Sequence, residues 1–227
     1  MAYNFLGLVN DVAGRLNEVQ LTSGTQLDNA TGVHLNLKDA VNSSIRHVNQ
    51  AHFFWPFNHN TEEERLSPGV SRYSLAENIK YVDFGSFRVK RNTTLNVGEG
   101  RRLNQINYSE YLSTYLDQEY ETDSTKGGVP RNVVRTPDMG FVIVPMPNLA
   151  YTIEYEQYMD PVDLIDETDI PSIPERFRHV IIDGAMYYAY MFRDNIEMAN
   201  LSQSKFENGI KQMRTVLVNE YAYFRSA

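Results

Sequence analysis

The chain has 227 residues, 42% of them hydrophobic, and no cysteine. That is enough for one large domain or two intimate lobes with a real core, and it excludes a disulfide framework or a thiolate zinc site while fitting a reducing compartment. With 21 basic and 29 acidic residues the net charge is −8, the wrong sign for a basic nucleic-acid reader, and no apolar run approaches the roughly 18 residues of a membrane span.

The opening Met1-Ala2-Tyr3-Asn4-Phe5 has no basic segment followed by an apolar stretch, so no secretory leader is expected. From residue 3 to 20, Phe5, Leu8, Val9, Val12, Leu16 and Val19 recur at helical spacing, and Ser23-Gly24-Thr25 closes the element. A second helix is expected from Asn36 to His52, with Leu37, Ala40, Val41, Ser44, Ile45, Val48 and Ala51 on one face. Asn36 would be its N-cap and Asp39 an acid in its first turn. It runs into Phe53-Phe54-Trp55-Pro56-Phe57, where the proline forces a turn and the aromatics plug the end of a helical bundle.

The texture then changes from helical period to alternation. Strands are expected at 70–75 and 79–90, and Gly85 inside the second marks a bulge or a close backbone approach. Residues 92–102 read as a loop, 107–117 as a short helix carrying Tyr108, Tyr111, Leu112 and Tyr115, and 119–131 as a mobile tip with Gly127-Gly128 and Pro130. Three further strands follow at 132–135, 141–144 and 151–158. In the last of these, Tyr151, Ile153, Tyr155 and Gln157 alternate with polar residues, as a half-buried strand requires.

Asp160, Asp163, Asp166, Glu167 and Asp169 make an acidic connecting segment, read as solvated. The prolines at 171 and 174 lead into a long helix over 175–197, in which Gly184 and Ala185 admit a close neighbour. After a break at 200–204, a last helix over 203–223 carries Phe206, Ile210, Met213, Leu217, Tyr221 and Phe224.

The fold class read from this order is α+β. Residues 1–58 and 171–227 form a discontinuous helical bundle, and residues 59–170 form an inserted antiparallel β lobe with its short helix near 107–117.

No chemistry-bearing motif competes with this architecture. There is no phosphate loop, dinucleotide fingerprint, zinc-protease helix or nucleophile elbow. The five histidines (34, 47, 52, 59, 179) lack ligand spacing, and the acidic segment lacks the alternation and the glycine of a calcium loop. No catalytic residue, metal site or cofactor is expected. The 15 tyrosines and 11 phenylalanines, with a single tryptophan, admit two readings: an interface signal, because tyrosine covers apolar area and keeps a polar tip, or the ordinary use of tyrosine in strand-rich lobes.

Three stretches carry a resemblance. The first is Val41-Asn42-Ser43-Ser44-Ile45-Arg46 with Phe54-Trp55-Pro56-Phe57. The second runs from Leu66-Ser67-Pro68-Gly69 to Leu75, with Val82-Asp83-Phe84-Gly85-Ser86-Phe87. The third is Ile173-Pro174-Glu175-Arg176-Phe177, then Met198-Ala199 and Phe206 to Met213. Together they resemble the head-to-tail adaptor family of tailed bacteriophages, related to the tail tubular protein A type.

The resemblance implies a structural virion protein of the neck, assembled in the host cytoplasm into a ring of about twelve copies. The ring would lie between the portal protein and the tail nozzle or tube, with DNA passing through its lumen without specific binding and no membrane contact. It also implies that the C-terminal segment docks on the portal, through Tyr221, Tyr223, Phe224 and Arg225 here. Two other readings stay open at this stage: another neck ring such as a stopper or terminator, and a virion-associated glycan hydrolase using acids of the β lobe.

Overall fold

The computed structural model describes residues 2–92, 100–120 and 123–218. The chain divides into two compact units, one of residues 1–58 and 160–227, the other of residues 59–159. The fold is α+β, with helices in the first unit and two four-stranded sheets in the second.

The helical unit contains α1 (Phe5–Arg15), α2 (Gly24–Asp28), α3 (Val33–Ala51), α5 (Arg178–Phe192) and α6 (Ile196–Leu217). Asn4 caps α1 by accepting from Gly7 N–H. The helix expected to reach residue 20 stops at Arg15, and its terminus explains why. Asn17 adopts φ 57°, its N–H donates to Gly14 C=O, and Glu18 N–H donates to Ala13 C=O. This is a Schellman closure with asparagine in the left-handed position. Val19, expected on the apolar stripe, is therefore 79% exposed. Ser23 is not the end of α1 but the N-cap of α2, accepting from Gln26 N–H.

Helix α3 begins three residues earlier than expected. Asn36 is not its cap: the side-chain amide reaches back to Gly32 C=O from within the first turn.

The same terminal chemistry corrects the C-terminal half. The expected break at 200–204 is helical, and the chain turns instead at Arg193-Asp194-Asn195. Asp194 takes φ 53°, Asp194 N–H donates to Met191 C=O and Asn195 N–H to Tyr190 C=O. The Asn195 side chain then caps α6 by accepting from Met198 N–H. One tripeptide ends one helix and starts the next.

Glycine brings α3, α5 and α6 together. A Cβ at Gly184 would lie 2.2 Å from Ser44 Oγ and 2.7 Å from the Phe206 ring, and one at Gly209 would lie 2.9 Å from Val180. Ser44 Oγ donates to Ile181 C=O at 2.8 Å, so the buried hydroxyl is satisfied at the α5 backbone. The core joins Phe5, Leu8, Val12, Val41, Ile45, Trp55, Ile181, Phe206 and Met213, all buried.

Residues 160–170, expected in the β lobe, fall in the helical unit and are strapped down there. Asn42 clamps the Leu164 backbone with both ends of its amide, Nδ2 to C=O and N–H to Oδ1, each at 3.0 Å. Phe5 N–H donates to Asp169 C=O.

The β unit holds one sheet in the order β1 (His59–Arg65), β8 (Thr152–Met159), β3 (Ile79–Val89), β4 (Arg101–Arg102). The other runs β2 (Arg72–Ser74), β7 (Gly140–Val144), β6 (Asn132–Thr136), β5 (Asn104–Ile106). The pairing of the strands is antiparallel, as expected of the lobe, with one exception: β5 lies parallel on β6. In β8, Ile153, Tyr155 and Gln157 face inward, as the alternation requires.

Strand β3 does bulge at Gly85. Six residues from Asp83 to Arg88 face only three from Glu156 to Glu154, and the buried phase switches from Val82 and Phe84 to Phe87 and Val89. Ser86 Oγ accepts the Glu156 N–H that the ladder would otherwise have paired. Phe87 stacks on Tyr155 with ring centroids 4.5 Å apart. The expected short helix is α4 (Tyr108–Thr114), followed by a 3-10 turn at Leu116–Glu119.

Candidate interaction surfaces

The four residues expected to dock on a portal, Tyr221, Tyr223, Phe224 and Arg225, lie outside the described residues, as do 219–223 of the last expected helix, 93–99 of the expected loop and 121–122 of the expected tip. The described part of α6 runs to Leu217.

The aromatic joint divides its labour. Trp55 is fully buried, donates Nε1–H to Val48 C=O at 2.8 Å and stacks on Phe57. Trp55 therefore plugs the bundle, whereas Phe53 is half exposed and does not. The α5–α6 elbow presents a second apolar surface: Phe192 is 60% and Ile196 66% exposed, with Met191 and Leu201 also at the surface. The sequence reading missed it because residue 197 was placed inside one helix. The Asp194-Asn195 pair, which is turn chemistry, was the available signal. A third apolar group, Val162, Ile165 and Ile170, stands out of the acidic segment.

That segment is not the freely solvated linker expected. Asp163 takes a bidentate pair from Arg46 at 2.8 and 2.9 Å, and Asp169 accepts the N–H groups of Ile165 and Asp166. Along the α1–α5 seam, Asp11 pairs with Arg178, Asp183 with Arg15, and Glu18 with Arg193. Asp11–Arg178 is part-buried, whereas the other two pairs are exposed and orient surfaces more than they stabilise them.

In the β unit, Arg72 bridges Glu119 and Asp138, and Tyr111 donates its hydroxyl to Glu119 at 2.6 Å. The Arg72 bond, then the Tyr111 bond, hold the Glu119 carboxyl below its ordinary range, and burial pushes the Tyr111 phenol up. Glu119 is a saturated carboxylate that ties the turn after α4 to β2, without a proton to give.

Among the described residues no cluster of three His, Asp or Glu side chains is disposed to hold a metal ion, and no helix is long and apolar enough to cross a membrane. An open groove of about 490 Å³ is lined by Val19, Leu21, Gln26 and His34, whose Nε2 is held by Val19 C=O. The chemical capacity of these surfaces is adhesion: apolar side chains and ordered charges, set on rigid elements.

Strand β1 was also missed. His59-Asn60-Thr61-Glu62-Glu63-Glu64-Arg65 is polar on both faces, so it shows neither period, yet it pairs with β8 along its whole length.

A family model described as SU10 adaptor protein matches residues 3–225. Among curated proteins, none matches the chain.

Proposed function

The chain belongs to the SU10 adaptor protein family, and from that premise we propose that it forms a ring between the portal and the tail nozzle or tube, continuing the channel through which DNA leaves the head. As a bacteriophage adaptor it is a structural component of the virion, in contact with other phage head and tail proteins. The observation that carries the reading is the family match over nearly the whole chain. The exposed apolar elbow and the net charge of −8 support it: the first offers area for burial in an assembly, and the second suits a channel wall that repels phosphate rather than gripping it.

In this reading the segment after Val218 is the portal-binding element, through Tyr221, Tyr223, Phe224 and Arg225. Light scattering and negative-stain microscopy of the full chain, alone and mixed with portal rings of the same phage, test it. The expected result is a collar on the portal, lost when the chain is cut after Val218. A chain that ignores the portal overturns the adaptor placement. A truncated chain that still binds overturns the docking segment. Tight binding of linear duplex DNA by the assembled collar at physiological salt overturns the repelling channel.

A further inference from the structure

The first sheet of the β unit carries opposite charge at its two edges, arranged rung by rung. The pairing Glu64↔Ile153↔Val89↔Arg101 forms one rung across β1, β8, β3 and β4. The neighbouring rung is Glu63↔Glu154↔Arg88↔Arg102. Paired residues point to the same face, so each face of the sheet has an acid at the β1 edge and an arginine at the β4 edge.

Within the second rung, Arg88 already joins Glu154, and Lys90 reaches Glu63. At the outer positions other than Glu63 the charges are uncompensated. Among the described residues, Glu62, Glu64, Arg101 and Arg102 make no ion pair, and burial together with Glu62 pushes the Glu64 carboxyl up. Arg102 spends one donor on Gly85 C=O and keeps the rest. Beside Glu62 a buried acceptor is also unmet: Gln157 donates Nε2–H to Glu62, but its own Oε1, on a side chain 2% exposed, has no partner. Arg65, at the end of β1, is the one basic residue on the acidic edge.

We propose that the acidic β1 edge of one copy docks against the basic β4 edge of the next, so that this sheet runs on from subunit to subunit. The inference rests on the ring reading above and names the contact that builds it. The strand order makes β1 and β4 antiparallel to each other, so a second copy placed beside the first continues the antiparallel ladder. Arg101 then meets the unpaired Glu64 on one face, and on the other Arg102 joins Lys90 at Glu63. The contact uses two different patches, and a contact of that kind builds a ring where its rotation closes, not a two-fold dimer. An exposed edge strand templates such pairing, and Glu62 and Glu64 on its inward face discourage every neighbour that does not bring cations.

Charge exchange tests this in the full chain. Glu62→Lys with Glu64→Lys gives a copy with two basic edges. Arg101→Glu with Arg102→Glu gives one with two acidic edges. Each alone is expected to self-associate on portal rings at least about tenfold more weakly than the unmodified chain, since like charges meet at every contact. An equimolar mixture is expected to recover assembly, with the two variants alternating and an even copy number. The neutral variant Glu62→Gln with Glu64→Gln is expected to fall between.

Assembly of either reversed variant at the unmodified level overturns the edge pairing. So does a mixture that stays unassembled although each variant shows native circular dichroism. If the unmodified chain itself forms no ring on the portal, the ring reading fails instead, so the two failures are distinguishable.

Discussion

At the scale of single residues, polar side chains decide where this chain turns and what its core tolerates. Asn17 and Asp194 each take the left-handed conformation that closes a helix, and both positions are read more readily as helix interior than as an end. Asn42 holds the Leu164 backbone from both sides, a contact over 122 residues that no local pattern announces. Tyr155 has a measurable consequence. Burial first, then Glu62 and Glu64, pushes its phenol up to about 12. The unfolded chain ionises near its ordinary value of 10.0, so the folded state is favoured below that pH and loses this contribution as pH rises toward 12. Tyr155→Phe keeps the stack on Phe87 and removes the titration. Urea unfolding of the variant between pH 9 and 11 is expected to show a shallower loss of stability than the parent, and parallel curves would refute the assignment.

At the scale of elements, α3, α5 and α6 meet where side chains are smallest. Gly184→Ala places a methyl group against Ser44 and Phe206, and overpacking at such a point costs about 1–3 kcal/mol. A lower thermal midpoint is expected, while an unchanged one would mean the helices part freely. Gly184 was legible from sequence as a close-packing position, as were the inward face of β8 and the bulge at Gly85, because each follows from period or from a missing Cβ. Other elements were hidden for stated physical reasons. Strand β1 is charged on both faces, so no apolar alternation marks it. Arg101-Arg102 is too short to show a period and owes its strand geometry to β3. The helix ends depend on backbone hydrogen bonds that asparagine and aspartate permit but do not compel. For the functional surfaces the balance is similar: family kinship was readable from packing motifs, whereas the exposed elbow and the opposed sheet edges come from which groups the fold leaves outside.

At the scale of the molecule, the chain passes between its two units only twice, at 58/59 and 159/160. Both passages belong to one pair of strands: His59 opens β1, Met159 closes β8, and His59 is registered against Tyr158. The ends of the β unit therefore lie about 5 Å apart, the spacing of adjacent strands. Residues 59–159 expressed alone are expected to fold with a cooperative thermal transition and β-type circular dichroism. A featureless melt would show instead that the lobe leans on the helices. The deeper consequence is hereditary. A segment whose two ends meet can be lengthened, shortened or exchanged by recombination without moving the ends of the chain that receives it, so the β unit and the helical unit are free to diverge at different rates under selection from different neighbours.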